Sequence, residues 1–198
     1  TGIYPYLRNT FKSVCDMRTL TEIFAEIGNH TGKDIGCNDK GGIHTYLETY
    51  DKLFAPFQKG CTIMEIGLAM GDSIRMWDEY FENSQIFGVD ISVVFPVVNY
   101  KNDVVIIEGD ATEEKFLNSL FFPDMDIIID DGSHMEADQI KTFNLLKGKM
   151  KQGGIYIIED ILALDQNRNR FESLHDNCEI VDMRHTGRFD NVLIIYRF

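Results

Sequence analysis

Between Thr62 and Ile161 apolar runs alternate with segments of helical period, and that alternation constrains the fold more than any other feature of the chain. The runs TIMEIGLA (62–69), QIFGVDI (85–91), DVVIIEGD (103–110), MDIIIDD (125–131) and GIYIIEDI (154–161) read as strands. Between most of them lie SIRMWDEYF (73–81), EEKFLNSL (113–120) and EADQIKTFNLLKGKM (136–150), whose apolar positions recur at helical spacing. Strands alternating with helices build right-handed βαβ units and a parallel sheet covered on both faces. The near-continuous Ile and Val of these strands fit burial on both sides.

After Ile161 the rhythm changes. A polar stretch leads to CEIVDMRH (178–185) and NVLIIYRF (191–198), joined by a connection short enough for a hairpin. A parallel sheet finishing in a C-terminal antiparallel hairpin resembles the class I methyltransferase fold, an α/β Rossmann-like sheet of seven strands in the order 3-2-1-4-5-7-6. At 198 residues the chain reads as a single domain. Residues 1–60 form a helical N-terminal lid region, with a helix over 17–30, a glycine-rich turn, and a loop then a helix over 38–57. Residues 61–198 form the core. The chain opens at Thr1 rather than Met, which leaves room for excision from a longer polypeptide, including one fused to a glycosyltransferase.

The net charge of −13 disfavours nucleic acid and anionic membranes, both of which call for basic surface. A small or neutral substrate fits better. Cys15, Cys37, Cys61 and Cys178 are scattered without a CxxC pair, which reads as reduced thiols in an intracellular, cytoplasmic protein. There is no apolar run of about 18 residues, and nothing at the start of the sequence resembles a signal peptide. Oligomeric state is not legible, and a homo-oligomer stays open.

The loop EIGLAMG (65–71) joins the first strand to the first helix of the core. Gly67 and Gly71 let the backbone turn tightly beside a ligand, but their spacing does not make the GxGxxG of dinucleotide sites. Asp90 ends the second strand, where a carboxylate accepts both ribose hydroxyls. Asp110 ends the third beside Ala111, placed to meet an adenine. As isolated features these are helix caps in an ordinary α/β turn. Together, Glu65, Gly67, Gly71, Asp90 and Asp110 resemble the S-adenosylmethionine site of class I methyltransferases, and a cationic sulfonium suits an acidic cleft. Ser73 and Arg75 are candidates for the methionine end of that cofactor, or for capping and solvating their helix.

The fourth strand ends in Asp130 and Asp131, with His134 three residues on, and the fifth in Glu159 and Asp160. Without a cation such crowding would raise several of their pKa values and destabilise the fold. A divalent metal resolves the conflict, and oxygen donors select Mg²⁺, Mn²⁺ or Ca²⁺ over zinc. A neutral imidazole beside it is a suitable proton acceptor. The plainer reading has two acids capping helices and a third paired with Arg or Lys.

NDKGGIHTY, MEIGLAMGDSIRMW, DIIIDDGSHM and GGIYIIED together resemble the metal-dependent sugar O-methyltransferases of macrolide biosynthesis and the related rhamnosyl O-methyltransferases, over roughly residues 38–161. The resemblance implies Asp131, Glu159 and Asp160 as Mg²⁺ ligands and His134 as general base. Asp130 would then support the site or contact the cofactor. It also places NDKGGIHTYLETY over the cofactor. The spacing of Tyr46, Leu47, Tyr50 and Leu53 fits a helix face packed on the core, which is the reading for Tyr50 and Leu53, while His44 and Tyr46 stay open as cofactor or acceptor contacts. The expected activity is S-adenosylmethionine-dependent methylation of a sugar hydroxyl, on a deoxyhexose such as rhamnose. Alternatives are a catechol-like or other vicinal-diol acceptor, a nicotinamide-dependent oxidoreductase, which lacks its GxGxxG here, and a non-catalytic binding module.

Overall fold

A computed structural model describes residues 17–30, 39–95 and 99–198. Cys15, Cys37 and the glycine-rich turn before residue 37 lie outside the described residues. The elements run α1 (Leu20–His30), α2 (Asp39–Gly42), α3 (Leu47–Phe54), β1 (Thr62–Ile66), α4 (Asp72–Tyr80), β2 (Gln85–Asp90), β3 (Asp103–Glu108), α5 (Glu114–Ser119), β4 (Met125–Asp130), α6 (Glu136–Leu146), β5 (Met150–Ile158), α7 (Leu164–Glu172), β6 (Cys178–Asp182) and β7 (Val192–Arg197).

The seven strands form one sheet in the expected order, β3-β2-β1-β4-β5-β7-β6, with β7 antiparallel to both neighbours. Alternate residues of each inner strand feed opposite cores. Ile63, Ile127, Ile129, Ile155 and Ile157 face α1, α3 and α4, where Tyr50, Phe54 and Trp77 are fully buried. Met64, Ile128, Tyr156 and Ile158 face α5, α6 and α7 through Leu117, Phe143 and Phe171. Each such side chain contributes about 1.5–3 kcal/mol on burial. The expectation of strands buried on both faces fails for β3, whose residues are exposed or half-buried because it is a sheet edge.

Three departures from the sequence reading stand out beside shifts of one to three residues at other element ends. β5 starts at Met150 rather than Gly154, because Gly153 takes φ +82° inside the strand and interrupts the apolar run without ending the pairing. The helix expected to reach residue 150 ends at Leu146 and tightens into a 3₁₀ turn over Lys147–Lys149. The polar stretch after Ile161 contains α7, anchored by buried Leu164 and Phe171.

Register fixes where the chemistry lies. Ile66 pairs with Asp130, and Asp130 with Ile158, so the C-terminal ends of β1, β4 and β5 are level. Backbone bonds carry the alignment one residue further, from Asp131 N to Ile66 O at 2.8 Å and from Glu159 N to Asp130 O at 3.0 Å. Strand order reverses between β1 and β4, and in sheets of this type the crevice at that point receives the ligand. Among the described residues, no helix is long and apolar enough to cross a membrane.

Candidate functional site

Two cavities open at that crevice. The first, of about 270 Å³, is lined by Gly67, Asp90, Asp110, Ala111 and Asp130 together with Thr112, Gln139 and Thr142. The second, of about 380 Å³, takes in Asp39, Lys40, Gly67, Ser73, Asp90, Asp131 and His134. Gly67, Asp90 and Gly132 border both, so the two form one trough across the ends of β1, β2 and β4. A Cβ on Gly67, at φ +83°, would lie 2.0 Å from the carbonyl oxygen of Asp131, so only glycine lets β1 and β4 meet there.

Asp90 holds the glycine loop. Its Oδ2 accepts from the amides of Leu68 (2.6 Å) and Ala69 (3.2 Å), and Oδ1 from Ser92. Asp110 accepts from the amide and hydroxyl of Thr112, both at 2.8 Å. Burial pushes the carboxyl of Asp130 up to about 7, against the bond it accepts from the Gly132 amide. Gly71 and Glu65 line neither cavity. Gly71 precedes α4 at φ +77°, against the ring of Phe95. Glu65 is fully buried and accepts from Ser73 Oγ (2.6 Å) and Trp77 Nε1 (3.0 Å). Arg75 is half exposed and faces Asp72 rather than the trough.

The acids at the ends of β4 and β5 converge as expected, and they do so around a cation of the chain itself. Lys40, on the short helix α2, is 1% exposed. Its Nζ donates to Asp131 Oδ2 at 2.6 Å and to Glu159 Oε1 at 2.7 Å, and it lies 3.3 Å from Glu65 Oε1. Burial by itself would depress its pKa. The charges of Asp131, Glu159 and Glu65 reverse that and hold it well above its ordinary value. The chain thus supplies one cation itself, in line with the plainer reading of an acid paired with Lys. The only local signal was a lysine in NDKGG, and its partners lie 91 and 119 residues away.

One ammonium does not balance the cluster. Burial and the charge of Asp131 hold Glu159 above the usual carboxylate range, and burial raises Asp160 as well. Asp131 lies below it despite burial, through Lys40 and His134. The surplus of buried negative charge fits a second, added cation. Oxygens of Asp131 and Asp160, with a ring nitrogen of His134, come within 4.8 Å of one another. His134 Nε2 is 3.2 Å from Asp131 Oδ1 and its Nδ1 is 3.7 Å from Asp160 Oδ2. The bond to Asp131, outweighing burial, raises the imidazole to about 9. Both His134 (φ +57°) and Asp160 (φ +56°) take left-handed backbone, a strain of about 1–3 kcal/mol each that a packed surround sustains.

The residues left open in the N-terminal segment also have places. Tyr46 donates to Asp160 Oδ1 at 2.6 Å, and His44 stacks on Tyr46 with Nε2 3.4 Å from Asp160 Oδ2. Neither lines the trough. Tyr50 is not only a packing residue, since its hydroxyl donates to Glu159 Oε1 at 2.6 Å. Asn191, buried at the start of β7, receives the Thr45 amide and donates to Thr45 Oγ1, so the C-terminal hairpin braces this segment.

No family model matches the chain. It is 38% identical over 136 residues to the 8-demethyl-8-alpha-L-rhamnosyl tetracenomycin-C 2'-O-methyltransferase of Streptomyces olivaceus, a match covering 63% of this chain and 35% of that protein. It is 32% identical over 131 residues to the mycinamicin VI 2''-O-methyltransferase of Micromonospora griseorubida, covering 61% and 32%. The chain thus spans about a third of the length of these curated relatives. Among solved structures, MycE methyltransferase from the mycinamycin biosynthetic pathway, in complex with Mg, SAH and mycinamycin VI, superposes with a TM-score of 0.70 at 21% identity, over 92% of this chain and 54% of that one. That likeness establishes a shared fold.

Proposed function

We propose that this chain, whose sheet is that of the class I methyltransferases, forms the catalytic core of an S-adenosylmethionine- and divalent-cation-dependent O-methyltransferase acting on a sugar hydroxyl. The acceptor class is a deoxyhexose such as rhamnose, carried on a larger molecule. The observation that carries the reading is the single trough, with Asp90, Asp110 and Asp130 along one half and Asp131 and His134 along the other. The sequence likeness to two sugar O-methyltransferases supports the same class.

In this reading S-adenosylmethionine supplies an electrophilic methyl group, and the first cavity holds its nucleoside. Asp90 is placed for the ribose hydroxyls and Asp110 with Ala111 for the adenine, while Ser73 meets the methionine end. Asp131, Glu159 and Asp160 are the acids available to a divalent ion. When bound, the ion supplies positive charge that favours the anionic form of a nearby hydroxyl. His134 stands at the mouth of the second cavity and takes the acceptor's proton. Its imidazole serves as a base in the neutral form, which is favoured once positive charge offsets Asp131 and Asp160. Most of the remaining rate comes from alignment of acceptor and methyl group by a rigid strand-end frame.

The test is methyl transfer from labelled cofactor to a panel of rhamnosides, other glycosides and catechols, with and without EDTA. The reading expects transfer to glycosides, lost with EDTA and lost in Asp131→Ala and His134→Ala. Transfer to catechols alone replaces the acceptor class, and activity untouched by EDTA removes the metal.

A further inference from the structure

The connection between β6 and β7 carries Arg188 and Phe189, which line neither cavity of the trough. The connection is clamped rather than loose. Asn191, fully buried, donates through Nδ2 to Thr186 Oγ1 at 2.7 Å and to Thr45 Oγ1 at 2.9 Å. Arg188 pairs with Asp190 through Nε at 3.0 Å and Nη2 at 2.7 Å, and its Nη1 has no partner among the described residues. Phe189 is 71% exposed.

Eight large apolar side chains are exposed among the described residues. Scattered singly, such residues need no explanation. Three of the eight are not scattered. Ile43 precedes His44, whose Nε2 lies 3.4 Å from Asp160 Oδ2. Met135 follows His134, whose Nδ1 lies 3.7 Å from the same oxygen. Phe189 precedes Asp190, whose carbonyl oxygen is 3.5 Å from the Tyr46 hydroxyl that donates to Asp160 Oδ1. Three segments distant in sequence therefore each set an exposed apolar side chain at the outer rim of one corner. Arg188 adds a cation there. Its bonds to Asp190, and after them the charges of Asp190 and Asp160, hold its pKa above the ordinary value.

With His134 as proton acceptor, the reacting hydroxyl lies at this corner and the ring that bears it extends over the rim. A pyranose presents a face of C–H bonds and a perimeter of hydroxyl groups. The face packs on an aromatic ring, and the perimeter accepts from a guanidinium.

We infer that Arg188 and Phe189 bind the acceptor. Phe189 packs against the C–H face of the sugar, Arg188 donates from Nη1 to its hydroxyl oxygens, and Ile43 and Met135 extend the apolar rim. The inference rests on the sugar-methylating reading above and names the residues that hold its acceptor. They set affinity and specificity rather than the chemical step.

Methyl rhamnoside, added to the chain with S-adenosylhomocysteine, tests this without turnover. Magnetic saturation of the protein's aromatic protons should pass to the C–H protons of the sugar, and Phe189→Ala should lose at least about half of that transfer. In methyl transfer to the same rhamnoside, Phe189→Ala and Arg188→Ala should each raise the acceptor KM by about fivefold or more. Their kcat should stay within about twofold and the KM for S-adenosylmethionine should not move. Phe189→Trp should restore the acceptor KM. An unchanged acceptor KM in one variant strikes that residue from the acceptor site. Unchanged values in both overturn the inference and leave the sugar-methylating reading standing. If Arg188→Ala does not fold, Phe189→Ala decides. A wild type that neither binds nor methylates the rhamnoside overturns the inference, and one that methylates no glycoside overturns the sugar-methylating reading with it.

Discussion

Nζ of Lys40 donates to Oε1 of Glu159 across 2.7 Å, and both side chains are 1% exposed. The bond ties the N-terminal segment to the end of β5. Removing one member of a buried pair leaves the other charged and without compensation, which costs about 3–5 kcal/mol. Lys40→Met should therefore lower the unfolding free energy in urea by that amount. Lys40→Met/Glu159→Gln should cost less than the sum of the single changes, because the second removes the charge the first exposed. Additive losses would show that the two residues act independently.

Gly67→Ala should be the most damaging of the glycine substitutions in the trough. A Cβ there meets the Asp131 carbonyl at 2.0 Å, and φ of +83° is unfavourable to alanine. A loss of at least about 1–3 kcal/mol is expected from the backbone alone. Gly148→Ala meets nothing within 4 Å and is the control, with a change within about 0.5 kcal/mol. Thermal unfolding of the two variants checks the contrast, and equal effects would refute the close approach of β1 and β4.

The sheet and the converging acids were legible because the strands are apolar runs and three of the inner ones, β2, β4 and β5, end in a carboxylate or are followed directly by one, a pattern local in sequence. Two features were not legible, for different reasons. Lys40 and Tyr50 act on Glu159, 119 and 109 residues distant, and a polar pair of that separation leaves no periodic trace. Helix α7 was hidden because only Leu164 and Phe171 are buried in it, too thin a stripe to stand out among Asp, Asn and Arg. Glu65 and Gly71 have structural partners that the sequence did not show. Residue type suggested ligand contacts, and the structure adds that Glu65 serves Ser73, Trp77 and Lys40, and that Gly71 makes room for Phe95.

Under the proposed function, Asp90→Ala should weaken S-adenosylhomocysteine binding by about tenfold or more, since it removes a charged acceptor worth roughly 1.5–3 kcal/mol. It also frees the Leu68 and Ala69 amides that shape the loop. Calorimetry measures this directly, and an unchanged dissociation constant would remove Asp90 from the cofactor site.

Cys61 should resist alkylation in the folded chain. Burial pushes its thiol up to about 12. At pH 8 its thiolate fraction is then on the order of a thousandfold below that of a free cysteine with pKa about 8.5. The sign for stability follows from the raised folded pKa. The contribution is complete below about 8.5, the unfolded value, and is lost as pH rises toward about 12. Peptide mapping after iodoacetamide treatment, native against urea-unfolded, tests the first point. Rapid native labelling of Cys61 would contradict its burial.

Tyr46→Phe tests the support behind Asp160. The Tyr46 hydroxyl donates to Asp160 Oδ1 at 2.6 Å, and burial together with the Asp160 charge keeps that phenol protonated as a donor. Asp160 itself sits at φ +56°, so it depends on its neighbours to hold the orientation that turns Oδ2 toward His134. Loss of the hydroxyl should cost about 1–3 kcal/mol of stability, the penalty for a buried acceptor left without its partner. Under the proposed function it should also lower kcat by about tenfold while leaving the KM for S-adenosylmethionine unchanged, because the cofactor cavity does not include Tyr46. A variant that lost stability with kcat intact would make Tyr46 a packing residue only. A raised cofactor KM would instead place its hydroxyl at the cofactor, the alternative left open by the sequence.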